Sequence, residues 1–355
     1  MSSRRGDRAL WPWFIGLSIA LFAIVLGSIC LGSTGTIAPA EVLRSFAHAL
    51  GWAGAAEDPR LDLIVELRTW RALTAAGVGA ALALSGGLIQ GLFRNGLASP
   101  SLLGVSGGAA LGAALAIAVL GGYGILDREF APSALFVPLC SFVGALATVS
   151  LVAFLATRGG RTSVPTLLLV GIAVNMCVAG AFAAIQSLTL KDFEVSRAIL
   201  AWTFGTLEDR SSHHAAIVWS AVVMGAAVIP FIATELDLFR GGEADAAALG
   251  VGTSRVKIVT LVTAALTASA AVAVAGQIAF VGLAVPHIVR LIAGSSHRRM
   301  LPLCVLGGAI FLLGADYAQR ALFGAMLQPG VLMSLFGGPL FVALLVRHRR
   351  EVSAW

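Results

Sequence analysis

The feature that most constrains this chain is a series of long apolar runs that carry no charge. One of them extends from Ile258 to Val289, 32 residues without an Asp, Glu, Lys or Arg. A helix needs about 20 apolar residues to cross a bilayer. Only 12% of the 355 residues are charged and 58% are apolar, whereas soluble domains average about 25% and 45–50%. The sequence therefore predicts an all-α, polytopic membrane protein and argues against a soluble enzyme or a nucleic-acid binder.

About ten runs are suited to cross the membrane, and they fill the chain as one transmembrane domain over residues 1–355. The 32-residue run is too long for one straight helix, and Gly276-Gln277 is the natural break. The predicted spans cover roughly 11–33, 68–92, 101–120, 133–156, 165–187, 213–234, 256–275, 279–294, 301–323 and 332–346.

The basic residues predict the orientation of these spans. Ten spans place both termini on the same side. If that side is the cytoplasm, the inner segments carry 14 Lys and Arg and the outer segments carry 9. This agrees with the excess of basic residues found in cytoplasmic loops, so we expect both termini to be cytoplasmic.

Two segments separated by 190 residues resemble one another. Ala81–Ile89 reads ALALSGGLI and Ala271–Ala279 reads AVAVAGQIA. They fall in spans 2 and 7, which run in opposite directions in this topology. One interpretation is an inverted repeat of spans 2–5 and 7–10, a common plan in transporters. The alternative is chance similarity between helices rich in alanine and glycine.

Motifs of catalysis are missing from the sequence. It contains no GxxxxGK[ST] loop for ATP phosphates, no HExxH zinc motif and no CxxC pair. We therefore predict no catalytic residue, no metal site and no enzymatic activity for this chain.

Two segments between spans invite a functional interpretation. Asn95–Gly107 combines a proline with several glycines, which suits either an irregular segment lining a pathway or an ordinary tight turn. The inner loop Glu235–Lys257 holds Glu243 and Asp245 at the start of a short Ala-rich stretch, where carboxylates favour a helix N-terminus. Gly250 suits the end of that helix. The helix could dock a soluble partner or serve as a solvated connector.

Outer arginines run against the expected charge distribution. Arg68 and Arg71 flank Trp70 at the start of span 2, and Arg320 follows Asp316 by four residues, so that the two can pair on a helix. A docking surface for an acidic partner is one explanation. Snorkelling at the membrane interface is the other.

Four segments together resemble the FecCD-type permeases, the membrane subunits of ABC importers for iron-siderophores, haem and cobalamin. They read SGGLIQGLFRNGLASPSLLGVSGGAALG at 85–112, GQIAFVGLAVPHIVRL at 276–291, LGADYAQR at 313–320 and FGGPLF at 336–341. The resemblance implies a single permease domain of ten helices in the bacterial inner membrane. It also implies a homodimer with a second copy, two ATPase subunits that bind ATP and Mg, and a periplasmic binding protein. This chain itself would bind no cofactor.

The resemblance also assigns roles to residues. The family's ATPase-coupling helix corresponds to Glu243, Ala244, Asp245, Leu249 and Gly250. Arg68, Arg71 and Arg320 correspond to the arginines that meet acidic residues of the binding protein. The chain departs from the usual family pattern at Trp70 and at Met326–Gln328. Weaker candidates for the translocation pathway are Leu102, Ser106, Val164, Pro165 and Thr166.

The expected function is transport of an iron chelate, with a siderophore as the first candidate, haem next and cobalamin third. Two alternative functions belong to other classes of membrane protein. A secondary transporter would couple transport to an ion gradient through Asp316, because carboxylates within membranes are often functional. A purely structural membrane subunit would need no such residue, but it would leave the coupling loop without a role.

Overall fold

The computed structural model describes residues 11–32, 35–52, 58–121, 133–158, 161–324 and 326–347. Within these ranges the chain is almost entirely helical, with two very short antiparallel strand pairs in connections. The helices are α1 Trp11–Cys30, α2 Pro39–Ala49, α3 Pro59–Phe93, α4 Val105–Val119, α5 Ser133–Ala156, α6 Val164–Thr189, α7 Phe193–Thr203, α8 Ser212–Phe239, α9 Glu243–Ala248, α10 Thr253–Ala275, α11 Val281–Ala293, α12 His297–Phe323 and α13 Pro329–Arg347. The strands are β1 Leu31–Gly32, paired with β2 Gly35–Thr36, and β3 Thr157–Arg158, paired with β4 Arg161–Thr162. A 3-10 turn covers Pro100–Leu103.

This architecture confirms the predicted all-α membrane fold. Each of the ten predicted spans coincides with one helix, and seven helices in the described ranges are long and apolar enough to cross a membrane. The apolar helices α4 and α11 are shorter, at 15 and 13 residues. The predicted break in the long run is confirmed, since α10 ends at Ala275 and α11 begins at Val281.

The prediction from charge-free runs placed the start of one helix too late and missed two short helices. Helix α3 begins at Pro59, well before the predicted start at 68, because its charged first turns extend beyond the apolar run. Asp58 caps it by accepting a hydrogen bond from the backbone of Arg60 at 2.9 Å. The 11-residue helices α2 and α7 lie in connections that the prediction left without secondary structure.

Helix α3 forms the centre of the bundle, and 94% of its most apolar stretch is buried. Helices α1, α8, α10, α11 and α12 all pack against it. Gly79 meets Gly308 of α12, and Gly86 meets Gly282 of α11, so closely that a Cβ at either position on α3 would overlap the opposing backbone. Small residues at such crossings let helices approach where lipid offers no hydrophobic driving force.

The two similar segments lie in helices that contact one another. Ser85 of α3 donates a hydrogen bond to the carbonyl oxygen of Ala264 in α10 at 2.6 Å. Their local structures diverge, because α3 continues through Gly86 whereas α10 ends before Gly276, which has a φ of +72°. The inverted repeat stays a prediction.

Side-chain contacts define two ends of the bundle. Residues 28–31 with Gly35, residues 68–71 and residues 316–320 meet at one end, which we name the arginine end. Residues 237–257 and 295–297 meet at the other, the coupling end. Arg4, Arg5 and Arg8, which contributed to the predicted orientation, lie outside the described residues, as does the C-terminus.

Candidate functional site

The arginine end is built around the carboxylate of Asp316, which is 0% exposed on α12. Arg71 of α3 donates to Asp316 Oδ1 from Nη2 at 2.8 Å, and its Nε lies 3.2 Å from Oδ2. Arg320 Nη2 lies 3.0 Å from Oδ2, which confirms the predicted pairing of Asp316 with Arg320. We name Arg68, Arg71, Asp316 and Arg320 the arginine cluster.

The other donors of this cluster hold the turn that follows α1. Arg68 donates to the carbonyl oxygens of Ile29 and Gly35, both at 2.9 Å. Arg320 donates to those of Ser28 and Leu31, both at 3.0 Å. The last carbonyls of a helix lack partners within it, and a guanidinium offers five N–H donors in a planar fork. The cluster therefore fastens the end of α1 to α3 and α12.

The structure thus brings the three predicted docking arginines together, but it does not expose them equally. Arg68 and Arg320 are buried, and their guanidinium groups are used within the chain. The side chain of Arg71 is 15% exposed. Its Nη1 lies 3.9 Å from Oε1 of Glu208, whose side chain is 59% exposed. Docking stays a prediction, and Arg71 is the arginine with the most direct access to a partner.

At the coupling end, the predicted short helix is present as α9, with Glu243 and Asp245 in its first turn. Gly250 has a φ of +86°. The Gly250 amide donates to the Ala247 carbonyl, and the Val251 amide donates to that of Ala246, both at 3.0 Å. This pair of bonds is a Schellman motif, which closes a helix end and favours glycine at this position.

One face of α9 is fixed and the rest is exposed. Ala246 is buried against the bundle, whereas Ala244, Asp245, Leu249 and Gly250 are exposed. Glu243 forms an ion pair with Lys257, at the start of the adjacent helix α10. The residues predicted to couple to an ATPase therefore form a short exposed projection, and its first turn is fixed to the rest of the bundle.

Sequence reasoning missed three residues at this end. Lys257 pairs with Glu243, and Asp237 near the end of α8 bonds to His297 at the start of α12. A carboxylate at the end of an apolar helix was a signal that could have identified Asp237. No sequence pattern links it to a histidine 60 residues further along the chain.

A cavity of about 360 Å³ lies between residues 99–106 and 277–283, two stretches that each lead from irregular backbone into the first turn of a helix, α4 or α11. Ser99, Ser101, Ser106 and Gln277 supply its polar lining, with Phe280 among the apolar residues. Gln277 Nε2 donates to the carbonyl oxygen of Ser106 at 3.2 Å and so joins the two stretches. Irregular backbone at membrane depth occurs where protein buries it or where it lines a cavity.

The predicted pathway residues do not share this cavity. Ser106 lines it, whereas the carbonyl of Leu102 accepts a hydrogen bond from Asn175 Nδ2 at 3.4 Å, between the 3-10 turn and α6. The cavity lining does not include the remaining three candidates, Val164, Pro165 and Thr166, which form the first turn of α6. Gln277 and Asn175 were not predicted as site residues.

Comparison with known proteins connects these features to a family. The FecCD transport family matches residues 19–347. The hemin transport permease HmuU of Yersinia pestis is 36% identical, over 95% of this chain and 97% of its own length. The cobalamin import permease BtuC of Halobacterium salinarum is 39% identical, over 82% of this chain and 75% of its length.

Two further comparisons point to the same kind of protein. The Fe(3+) dicitrate permease FecD of Escherichia coli is 36% identical, over 81% of this chain and 86% of its length. Among solved structures, a metal-chelate type ABC transporter in an inward-facing conformation superimposes with a TM-score of 0.78 at 25% identity. The match covers 94% of this chain and 98% of that one.

Proposed function

The chain belongs to the FecCD transport family, and from this premise we propose that it carries an iron chelate inward as the permease subunit of an ATP-driven importer. The membrane is the bacterial inner membrane, with both termini in the cytoplasm. The permease performs no chemistry on its cargo. A separate ATPase binds ATP and Mg and supplies the energy.

The observation that carries this proposal is the geometry of α9. A six-residue helix with exposed Asp245, followed directly by exposed Leu249, stands at one end of the bundle. Ala246 and the pair of Glu243 with Lys257 hold its base. A rigid projection that is attached to two long helices, α8 and α10, can transmit a push from a soluble partner. Movement of such rigid elements is a common route to switching between two access states.

The remaining partners follow from the two ends and one face of the bundle. Two ATPase subunits would engage α9 of each permease, and a periplasmic binding protein would meet the arginine end. A second copy of the chain would cover one of the two least buried long helices, α1 or α6, each of which has only 11% of its most apolar stretch buried in the single chain. The outermost helices would face the lipid bilayer.

The proposed cargo is a metal chelate, with a ferric siderophore as the first candidate, haem as the second and cobalamin as the third. The relatives named above are permeases for cobalamin, hemin and ferric dicitrate. The lining of the cavity supports a cargo whose metal is already fully coordinated. Its serine hydroxyls, the Gln277 amide and the apolar side chains suit the outer surface of such a complex.

The surroundings of Asp316 weigh against the gradient-driven alternative. A carboxylate that exchanges protons or sodium needs access to the ion, but Asp316 is 0% exposed and pairs with two arginines.

The test is reconstitution of this permease with its ATPase in lipid vesicles, followed by addition of the binding protein loaded with ferric siderophore, haem or cobalamin in turn. We expect one loaded protein to stimulate ATP hydrolysis and to deliver its cargo into the vesicle lumen. An inactive ATPase variant is the control, because cargo entry should then cease.

The outcomes separate the candidates. Stimulation by haem or cobalamin alone would replace the siderophore as cargo but keep the importer. Failure of any ATPase to associate with the permease, together with uptake driven by an imposed proton or sodium gradient, would overturn the importer itself.

A further inference from the structure

The carboxylate of Asp237, on α8, caps the N-terminus of a different helix. Its Oδ1 accepts a hydrogen bond from the backbone N–H of His297, the first residue of α12, at 2.8 Å, and its Oδ2 accepts one from the hydroxyl of Ser296 at 2.8 Å. Ser296 occupies the N-cap position of α12 but makes no capping bond with its own side chain. Asp237 therefore performs this function from the neighbouring helix.

The side chain of His297 strengthens the same junction. Its Nδ1 lies 2.7 Å from Asp237 Oδ1, and the residue is fully buried. On its other side the ring lies against Gly91 near the end of α3, so closely that a Cβ at position 91 would overlap it. His297 thus joins the starting turn of α12 to both α8 and the central helix.

This junction adjoins the coupling helix along the chain. Glu243, the first residue of α9, follows Asp237 by six positions. Within that short stretch, Arg240 Nη1 donates to the hydroxyl of Ser295 at 2.5 Å. Two residues of the segment that leads into α9, Asp237 and Arg240, are consequently hydrogen-bonded to the turn that leads into α12.

The far end of α12 belongs to the arginine cluster. The helix has 27 residues, which corresponds to a length of about 40 Å. Asp316 and Arg320 lie near its other end and hold Arg71 and the turn after α1. One continuous helix therefore connects the residues beside the coupling helix with the residues of the predicted docking surface.

We propose that Asp237 and His297 are positioning residues that make α8, α9 and the start of α12 move together, so that α12 transmits the nucleotide state from the coupling end to the arginine end. This inference rests on the proposed function. It predicts reciprocal coupling, in which nucleotide at one end changes the affinity for the binding protein at the other.

The experiment measures the affinity of the reconstituted transporter for its loaded binding protein, with and without a non-hydrolysable ATP analogue. In the native protein we expect the nucleotide to change this affinity by about fivefold or more. Asp237→Ala should reduce that change to less than about twofold while the nucleotide-free affinity stays the same. Asp237→Asn should restore most of it, because asparagine is as good a cap as aspartate.

Asp192→Ala is the matched control. Asp192 Oδ1 accepts a hydrogen bond from the backbone of Val195 and caps α7, which does not belong to the junction. This variant loses a cap of the same kind, and it should keep the full nucleotide effect. If Asp237→Ala does not fold, Ser296→Ala removes one bond of the junction and should lower the nucleotide effect partially.

An unchanged nucleotide effect in a folded Asp237→Ala or Ser296→Ala variant would overturn the inference. So would a native transporter whose affinity for the binding protein is the same with and without nucleotide. If Asp192→Ala and Asp237→Ala lose the nucleotide effect equally, Asp237 contributes to stability alone, and the inference is overturned as well. Failure of the native chain to assemble with any ATPase would instead count against the proposed function.

Discussion

Asp316 places one negative charge among three arginines inside the protein. A buried charge is costly unless it is paired and hydrogen-bonded. Arg71 and Arg320 supply the pairing, and the backbone carbonyls of the turn after α1 accept the remaining arginine donors. The carboxylate and these carbonyls therefore stabilise the same group of positive charges, so that the loss of either would weaken the cluster.

Asp316→Asn should destabilise the protein strongly, because it removes the counter-charge of the buried Arg320 and leaves Arg71 with only the exposed Glu208 nearby. Breaking a buried ion pair from one side costs about 3–5 kcal/mol. Thermal unfolding in detergent, monitored by tryptophan fluorescence, would show a lower Tm. Glu66→Gln is the control, because Glu66 is exposed and accepts one hydrogen bond from Trp70 Nε1. Equal Tm values for both variants would contradict this role of Asp316.

At the scale of elements, the bundle depends on helix crossings that only glycine permits. Gly86 of α3 faces the backbone of Gly282 in α11, whereas Gly180 on α6 has no atom within 4 Å of the position where a Cβ would lie. Both residues lie within helices. Their environments differ although the sequence around each is similarly small and apolar.

This contrast gives a matched pair of substitutions. Gly86→Ala should lower the Tm and the yield of folded protein, because overpacking typically costs about 1–3 kcal/mol and here backbone must move. Gly180→Ala should keep the stability of the single chain or raise it, because alanine has the higher helix propensity. The two variants are compared as monomers, because α6 is a helix that a second copy could cover. Tm and yield of monodisperse protein after purification decide the outcome. A Gly86→Ala variant as stable as Gly180→Ala would refute the close crossing.

The coupling helix offers a test of how its base is held. Glu243→Lys places two lysines side by side, and it should abolish stimulation of the proposed ATPase while the fold is retained. The exchange Glu243→Lys with Lys257→Glu rebuilds the pair in reverse, so it should restore most of the stimulation. If the exchange variant remains as inactive as Glu243→Lys, Glu243 contacts the ATPase directly and does not act through α10.

At the scale of the whole molecule, the two ends differ in what they offer a partner. The coupling end projects an exposed helix, whereas the arginine end buries most of its charge in the chain's own contacts. A partner at the arginine end would therefore meet Arg71 directly, whereas Arg68 and Arg320 lie below the surface.

Arg71→Glu should weaken binding-protein association, and the loss should be larger at about 10 mM salt than at about 100 mM, because the Debye length falls from about 30 Å to about 10 Å. Arg68→Gln should lower the Tm but change this salt dependence little. Surface plasmon resonance on the reconstituted permease at both salt concentrations measures the difference. A salt dependence that Arg71→Glu leaves unchanged would exclude Arg71 from docking.

Much of the fold was predictable because helices in a membrane depend on local composition. Runs without charge located ten helices, Gly276 marked the break between α10 and α11, and Glu243 with Gly250 bounded α9. The start of α3 was placed too late because its first turns are charged, which a criterion based on apolar runs cannot include.

The sequence by itself determined the membrane class, the order of the helices, the family resemblance and the position of the coupling helix, since each depends on residues close together in the chain. Only the tertiary structure decided what the charged residues do. Arg71 meets Asp316 across 245 positions, and Asp237 meets His297 across 60. A buried charge must find a partner, but the packing of helices through their small residues selects which partner lies within reach.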